Sequence, residues 1–386
     1  MITKNKNNYK LFIFRSYKEK GYGLDDLLPL LKKKKEPVSV PLPSETAVNL
    51  RREVLKDLAA LPVLGLFGWG AYRSGQKYSS DTMSGATIQL NRVTLGELKG
   101  ELPKGKLGNH EVSRLVLGAG TISGFVHARD LIYVGSLSRS YNNEKKSFET
   151  LILCEQAGIN CVVGSSGILS LFAKYKKLTG SKLKVIAPMG VNGKSADIYD
   201  TVTTAIDNGC EIIQVHGGLC DQAVSDRKLE LIDGMLNRIR SNGLVAGLGA
   251  HTIDSLIICE ENGIIPDYYM KTMHHDNYWS AHPRENRIPF EVIGQASGDH
   301  NMWYDNMFDA FPDRTVEFVN RVKVPVMGFK TLAAGAIHPK SGFKWAFENG
   351  ADFIAVGMFD FQVVDDVNIC IDTLQNLQNR KREWYS

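Results

Sequence analysis

The chain has 386 residues, of which 43% are hydrophobic, 23% charged and 9% aromatic. That is average globular usage, and it excludes a disordered, collagen-like or polytopic membrane chain. The net charge of +4 is uneven: the first 56 residues carry +7, including the run Lys32, Lys33, Lys34 and Lys35, and the rest carries −3. The body therefore lacks the basic surplus of a nucleic-acid binder, and no nucleic-acid partner is expected.

In chain order, residues 1–57 read as a basic N-terminal extension. Arg51 and Arg52, then Val54, Lys56 and the apolar stretch 58–72 resemble a twin-arginine export signal, placed far from the start and without a small-residue cleavage site. About 20 apolar residues are needed to span a bilayer, and this stretch is shorter and interrupted by Pro62 and glycines. Two locations stay open: exported or membrane-anchored through 58–72 with the C-terminal domain outside the cytoplasm, or cytoplasmic. Residues 73–111 read as a linker or arm. Within it, the spacing of Leu95, Leu98, Leu102 and Leu107 predicts a hairpin that closes the bottom of a barrel.

From residue 112 to 386, short apolar runs alternate with amphipathic stretches. The runs predict strands at 114–117, 160–163, 182–187, 211–215, 244–248, 267–270, 324–329 and 352–356. The stretches predict helices at 144–157, 169–178, 195–208, 221–241, 253–262, 314–322, 339–349 and 363–377. Several helices end in Gly158, Asn208-Gly209, Asn262-Gly263 or Asn349-Gly350, which suit a left-handed C-cap. Eight strand–helix units in about 270 residues match the size and period of a single α/β barrel of the (β/α)8, or TIM, type. An open doubly wound sheet is the alternative. The first turn, Gly118 to Gly124, lacks the dinucleotide spacing and its acidic partner. The six cysteines show no paired metal or redox spacing and read as buried apolar fillers.

In such a barrel the chemistry lies where the strands end. Four of the nine histidines, His216, His251, His274 and His275, follow three consecutive strands. With Asp276 or Asp360 they are candidate ligands for a divalent metal, which would polarise a carbonyl or acidify a bound water. The alternative is a polar pocket without metal. Lys271 and Lys330, also at strand ends, are candidates for electrophile, base or Schiff-base former, or for salt bridges to Asp276, Asp299 or Asp360. His216, Lys271, Lys330 and Asp360 are thus the candidate catalytic groups. Substrate contacts are expected from His127, Arg129 and Asp130 after the first strand. Tyr278 and Trp279 are expected to add to these from a long insertion after the sixth strand, read as a lid and, alternatively, as a subunit contact. Gly335 and Ala336, ahead of Pro339, are candidates for an anion site built from backbone N–H groups, or for a plain helix-starting turn.

Four stretches carry a family resemblance: Ser113 to Leu115 with Ser123 to Leu131, Tyr269 to Trp279, Lys330 to Ile337, and Val356 to Phe361. Over residue 94 to the C-terminus the chain resembles uncharacterised aldo/keto reductase-like TIM-barrel proteins, an NADP-linked oxidoreductase superfamily, many with twin-arginine leaders. The resemblance implies the barrel and, as an alternative cofactor to metal, NADPH. Of the reductase set, an Asp and a Tyr after strand two, a Lys after strand three and a His after strand four, only His216 has a counterpart. The expected function is a barrel enzyme for a small polar, carbohydrate-like substrate. An aldo/keto reductase and a non-catalytic barrel subunit of a membrane-associated assembly, homo-oligomeric or not, are the alternatives.

Overall fold

The computed structural model describes residues 93–128, 131–190, 197–290, 302 and 304–386. The expected export-like motif, the apolar stretch 58–72, Arg129 and Asp130 lie outside the described residues. Among those described, no helix is long and apolar enough to cross a membrane.

A two-stranded ribbon, β1 (Lys104–Leu107) and β2 (His110–Ser113), precedes eight parallel strands. These are β3 (Leu115–Gly118), β4 (Cys161–Val163), β5 (Lys184–Met189), β6 (Ile212–Val215), β7 (Val245–Ala250), β8 (Tyr268–Thr272), β9 (Val326–Phe329) and β10 (Phe353–Gly357). They close in sequence order, β10 pairing β3, into a (β/α)8 barrel. All eight predicted strands are present, shifted by one to two residues.

Strand parity sorts the side chains into two cores, because successive residues face opposite sides. In β3, Leu115 and Leu117 join the layer under the helices, whereas Val116 points into the barrel with Cys161, Ile186, Ile212 and Met327. Leu107 and Val112 of the ribbon lie in that same inner cluster, so the hairpin plugs the floor. Gly247 of β7 is an inward position, and a Cβ there would meet the Tyr268 ring at 2.4 Å. The missing side chain leaves room for Tyr268, whose hydroxyl donates to Gln214 Oε1 at 2.7 Å across the barrel. All six cysteines are buried and unbridged.

Ten helices of eight or more residues are described: α1 (Val134–Tyr141), α2 (Glu144–Gln156), α3 (Leu169–Thr179), α4 (Asp200–Asp207), α5 (Gly217–Ser225), α6 (Leu229–Ser241), α7 (Ile253–Glu261), α8 (Pro312–Arg321), α9 (Pro339–Glu348) and α10 (Asp360–Gln375). The predicted C-caps at Gly158, Gly209, Gly263 and Gly350 have φ between 70° and 104°, the left-handed region that glycine enters at no steric cost. The single helix expected over 221–241 is two. It starts earlier, at Gly217, and breaks at Arg227, where φ of 59° ends α5 before Leu229 begins α6.

Candidate functional site

At the C-terminal ends of β3, β9 and β10 the barrel opens into a cavity of about 510 Å³, within the range of small-molecule sites. Its polar lining includes His127, Lys330, Thr331 and Gln362, and most of the remaining wall is apolar, with Phe125, Met307 and Phe329 among its larger members. Thr331 lines the cavity, and its hydroxyl is buried with no partner among the described residues.

Lys330 follows β9 with φ of 57°, a conformation that costs a side-chain-bearing residue about 1–2 kcal/mol. Parity alone would turn it outward, since Met327 and Phe329 are inward; the left-handed turn redirects it to the cavity. Its Nζ donates to the Asn306 carbonyl at 2.9 Å and to the Asn306 side-chain oxygen at 2.5 Å, both uncharged. Desolvation is the main influence and brings the amine down to about 7; Asp305 and Asp221 oppose the shift and Lys271 reinforces it. A lysine in that range holds a substantial neutral fraction at physiological pH, which is the nucleophilic form.

Two carboxylate–imidazole pairs act on this amine. His127 Nδ1 is 3.0 Å from Asp305 Oδ1. His251 Nδ1 is 2.8 Å from Asp221 Oδ2, and Asp221 also accepts from the backbone N–H of His251 and Thr252 and from the Ser255 hydroxyl. With the carboxylate as acceptor, His251 carries its proton on Nδ1 and leaves Nε2 as an acceptor. Burial, followed by the Lys330 charge, lowers His251 to about 4, so it is neutral at physiological pH. His216 caps α5, its Nδ1 accepting from Gly218 N–H at 3.0 Å, and burial lowers its pKa as well. The His216 and His251 rings are 6.3 Å apart, and Phe329 touches both the His251 ring and the Lys330 amine.

The other expected site residues are placed differently. Lys271 is on the outward parity of β8, buried, with its Nζ 3.4 Å from Asp309 and donating to the Thr272 carbonyl. Its partner is therefore neither Asp276 nor Asp360, and Asp299 lies outside the described residues. His274 is enclosed: its Nε2 accepts from Asp309 N–H at 2.9 Å and its Nδ1 lies 2.9 Å from the His275 carbonyl. His275 packs edge-on to Trp345 and Tyr278. Burial works against ionisation of Asp276, but hydrogen bonds from Arg284 and Arg287 outweigh it and hold the carboxyl at about 2. The expected metal centre is thus not assembled. His216 and His251 are neighbours, His274 to Asp276 are engaged elsewhere, and among the described residues no three His, Cys, Asp or Glu side chains are grouped to hold a metal.

Asp360, at the start of α10, is bound by the Tyr141 hydroxyl and Lys146 and does not line the cavity. Tyr278 is a core residue of the insertion, and Trp279 is exposed, so neither forms a platform on the cavity wall. Gly335 lines the cavity, but its N–H donates to Leu332 and that of Ala336 to Ala333, which leaves neither for an anion. The insertion meets the site instead through Asp305, Asn306 and Met307. Sequence reading did not single these out, nor Asp221, which sits inside a helix as one acidic residue among many.

No family model matches the chain, and no curated protein does. Among solved structures it is similar to a truncated 3-deoxy-D-arabino-heptulosonate 7-phosphate synthase from Thermotoga maritima, at 10% identity over 72% of this chain and 92% of that one, with a TM-score of 0.40. It is similar also to an N-acetylneuraminic acid synthetase from Leptospira borgpetersenii, at 10% identity, 72% and 91% coverage and a TM-score of 0.37. A third is the monotopic membrane protein (S)-mandelate dehydrogenase, at 10% identity, 80% and 88% coverage and a TM-score of 0.41.

Proposed function

We propose that this barrel is an enzyme that uses Lys330 as an amine nucleophile on a carbonyl substrate. The observation that carries the reading is the setting of Lys330: a partly desolvated amine on the wall of the mouth cavity, held by a strained turn, with neutral hydrogen-bond partners. The Nζ lone pair adds to the carbonyl carbon as the carbonyl oxygen takes a proton and the nitrogen releases one, giving a neutral carbinolamine. Loss of that oxygen as water, with a second proton delivered to it, gives the iminium, an electron sink for bond cleavage or formation at the adjacent carbon. His127, which lines the same cavity and is oriented by Asp305, is the group that hands protons to and from the oxygen. The scheme is written without a metal, since no group of the described residues is arranged to hold one.

The test is reductive trapping. Short aldehydes and 2-keto acids are incubated with the full-length protein and cyanoborohydride at pH 7, and the adducts are mapped by peptide mass spectrometry. Preferential alkylation of Lys330, absent in Lys330→Met of unchanged thermal stability or better, supports the reading. Labelling spread over the surface lysines, with Lys330 unmodified, overturns it.

A further inference from the structure

We infer that the ligand of the mouth cavity carries an apolar arm, and that its substrate class is amphiphilic carbonyl compounds rather than small polar ones. The inference rests on the Lys330 reading for the carbonyl end and on separate observations for the arm.

Lys330 and His127 supply polar contacts for a head group, whereas Met307, Phe329 and Val356 offer none. Further apolar residues of the described wall lie nearer the surface. Leu131 and Val134 line the cavity, and next to them in the same loop and helix Ile132 is 94% exposed, Tyr133 60% and Leu137 63%. Phe125, another cavity residue, is 71% exposed. Scattered single apolar residues on a surface need no explanation, but a contiguous apolar patch marks a binding site. This patch begins inside a cavity that ends at a reactive amine. A ligand with a carbonyl at one end and a hydrocarbon chain at the other would cover both at once. A sugar would leave the apolar wall wet and its own hydroxyls short of partners.

The arm is tested apart from the amine. Straight-chain aldehydes of three to ten carbons are trapped on the full-length protein with cyanoborohydride, and n-alkanols of the same lengths, which cannot form an imine, are titrated by calorimetry into wild type and Lys330→Met. Burial of a methylene is worth about a fourfold gain in affinity. The expected result is a rise of roughly fourfold per carbon in alkanol affinity in both proteins, matched by the half-saturating aldehyde concentration in trapping. The doubly substituted Ile132→Ser, Leu137→Ser protein, whose changes are at exposed positions, flattens the gain for the longest chains. Affinities independent of chain length overturn the apolar arm, whether or not Lys330 is alkylated. Binding of the protein to phosphatidylcholine vesicles with no alkanol dependence likewise overturns it, since the patch is then a membrane seat. An alkanol series that rises while Lys330 resists trapping keeps the arm and removes the amine chemistry.

Discussion

The floor and the mouth of the barrel treat charge in opposite ways. At the floor, Asp352 accepts from Val326 N–H, Arg380 and Tyr385 N–H, with Arg382 3.5 Å away, and its carbonyl accepts from Arg114. Trp384 lies between Arg114 and Arg380, with the guanidinium carbons 3.7 and 3.6 Å from its ring centroid. Each of these charged groups has an opposite charge within 4 Å or a hydrogen-bond acceptor, although Nε of Arg380 and of Arg382 has no partner among the described residues, and the C-terminal tail is fastened to the strands. At the mouth, Lys330 has only amide oxygens in reach, Thr331 has an unpartnered hydroxyl, and Lys330, Ala333 and Ala334 all have positive φ. Paired charges specify a structure, whereas a charge deprived of its counter-ion has its protonation equilibrium moved toward use. The floor thus holds the barrel and the mouth spends stability on reactivity.

The largest expected effect breaks the floor. Asp352→Ala leaves Arg380 and Arg382 without their buried counter-ion and frees the tail, a loss on the order of 3–5 kcal/mol in urea unfolding. Trapping at Lys330 per folded molecule should be retained. A smaller loss, below about 1 kcal/mol, would mean the floor network behaves as a surface pair.

At the mouth the sign reverses. The Lys330 pKa is lowered from 10.5 to about 7 in the folded protein, so below pH 7 the amine is protonated in both states and the folded state bears the full cost of desolvating it. The unfolded state binds more protons between pH 7 and 10.5, and stability rises with pH across that window. Lys330→Met removes this dependence and, with the shift discounted for the side chain's partial exposure and the lost Asn306 hydrogen bonds, should raise stability at pH 6 by about 3 kcal/mol, an advantage that shrinks as pH approaches 10.5. A variant less stable than wild type at pH 6 would show that the amine is a structural partner.

The contrast can be sharpened through Asp305, which favours the charged form of Lys330. Asp305→Asn should move the midpoint of the trapping rate against pH downward by about one unit, the rate rising with pH through the midpoint because only the neutral amine adds. A role confined to holding the insertion in place would lower the rate at all pH values and leave the midpoint where it was.

The barrel was legible because eight apolar runs and their glycine stops repeat a short-range pattern that packing did not override. Strand parity would also have separated two of the candidates. Counting by twos from the inward Ile212 and Val245 reaches His216 and His251, while the same count from Tyr268 passes over Lys271. Lys330 escapes the rule because its backbone turns left-handed, which nothing in the adjacent residues announces. The carboxylates that pair with the candidate groups, Asp221, Asp305 and Asp309, come from a helix and from the insertion, and the contacts of His251 and Lys271 with theirs are 30 and 38 residues apart in the chain. Clustered histidines suggested a metal because proximity in sequence and strand order says nothing of which ring nitrogens are already bonded. His274 is the example, with both nitrogens engaged.

The smallest expected effect concerns the turn itself. Ala334 lies at φ 55° and ψ 34°, where a Cβ costs about 1 kcal/mol and glycine costs nothing sterically. Glycine also gives the unfolded chain more freedom, by a few tenths to about 1 kcal/mol. If the strain is only tolerated, Ala334→Gly should leave stability within about 0.5 kcal/mol of wild type, and trapping at Lys330 unchanged. If the strain holds Lys330 toward the cavity, the same substitution, at equal stability, should slow trapping several-fold, because the flexible turn lets the amine swing away from the carbonyl it must attack. Measuring melting and trapping on this one variant therefore separates a turn that merely follows β9 from one that aims its lysine.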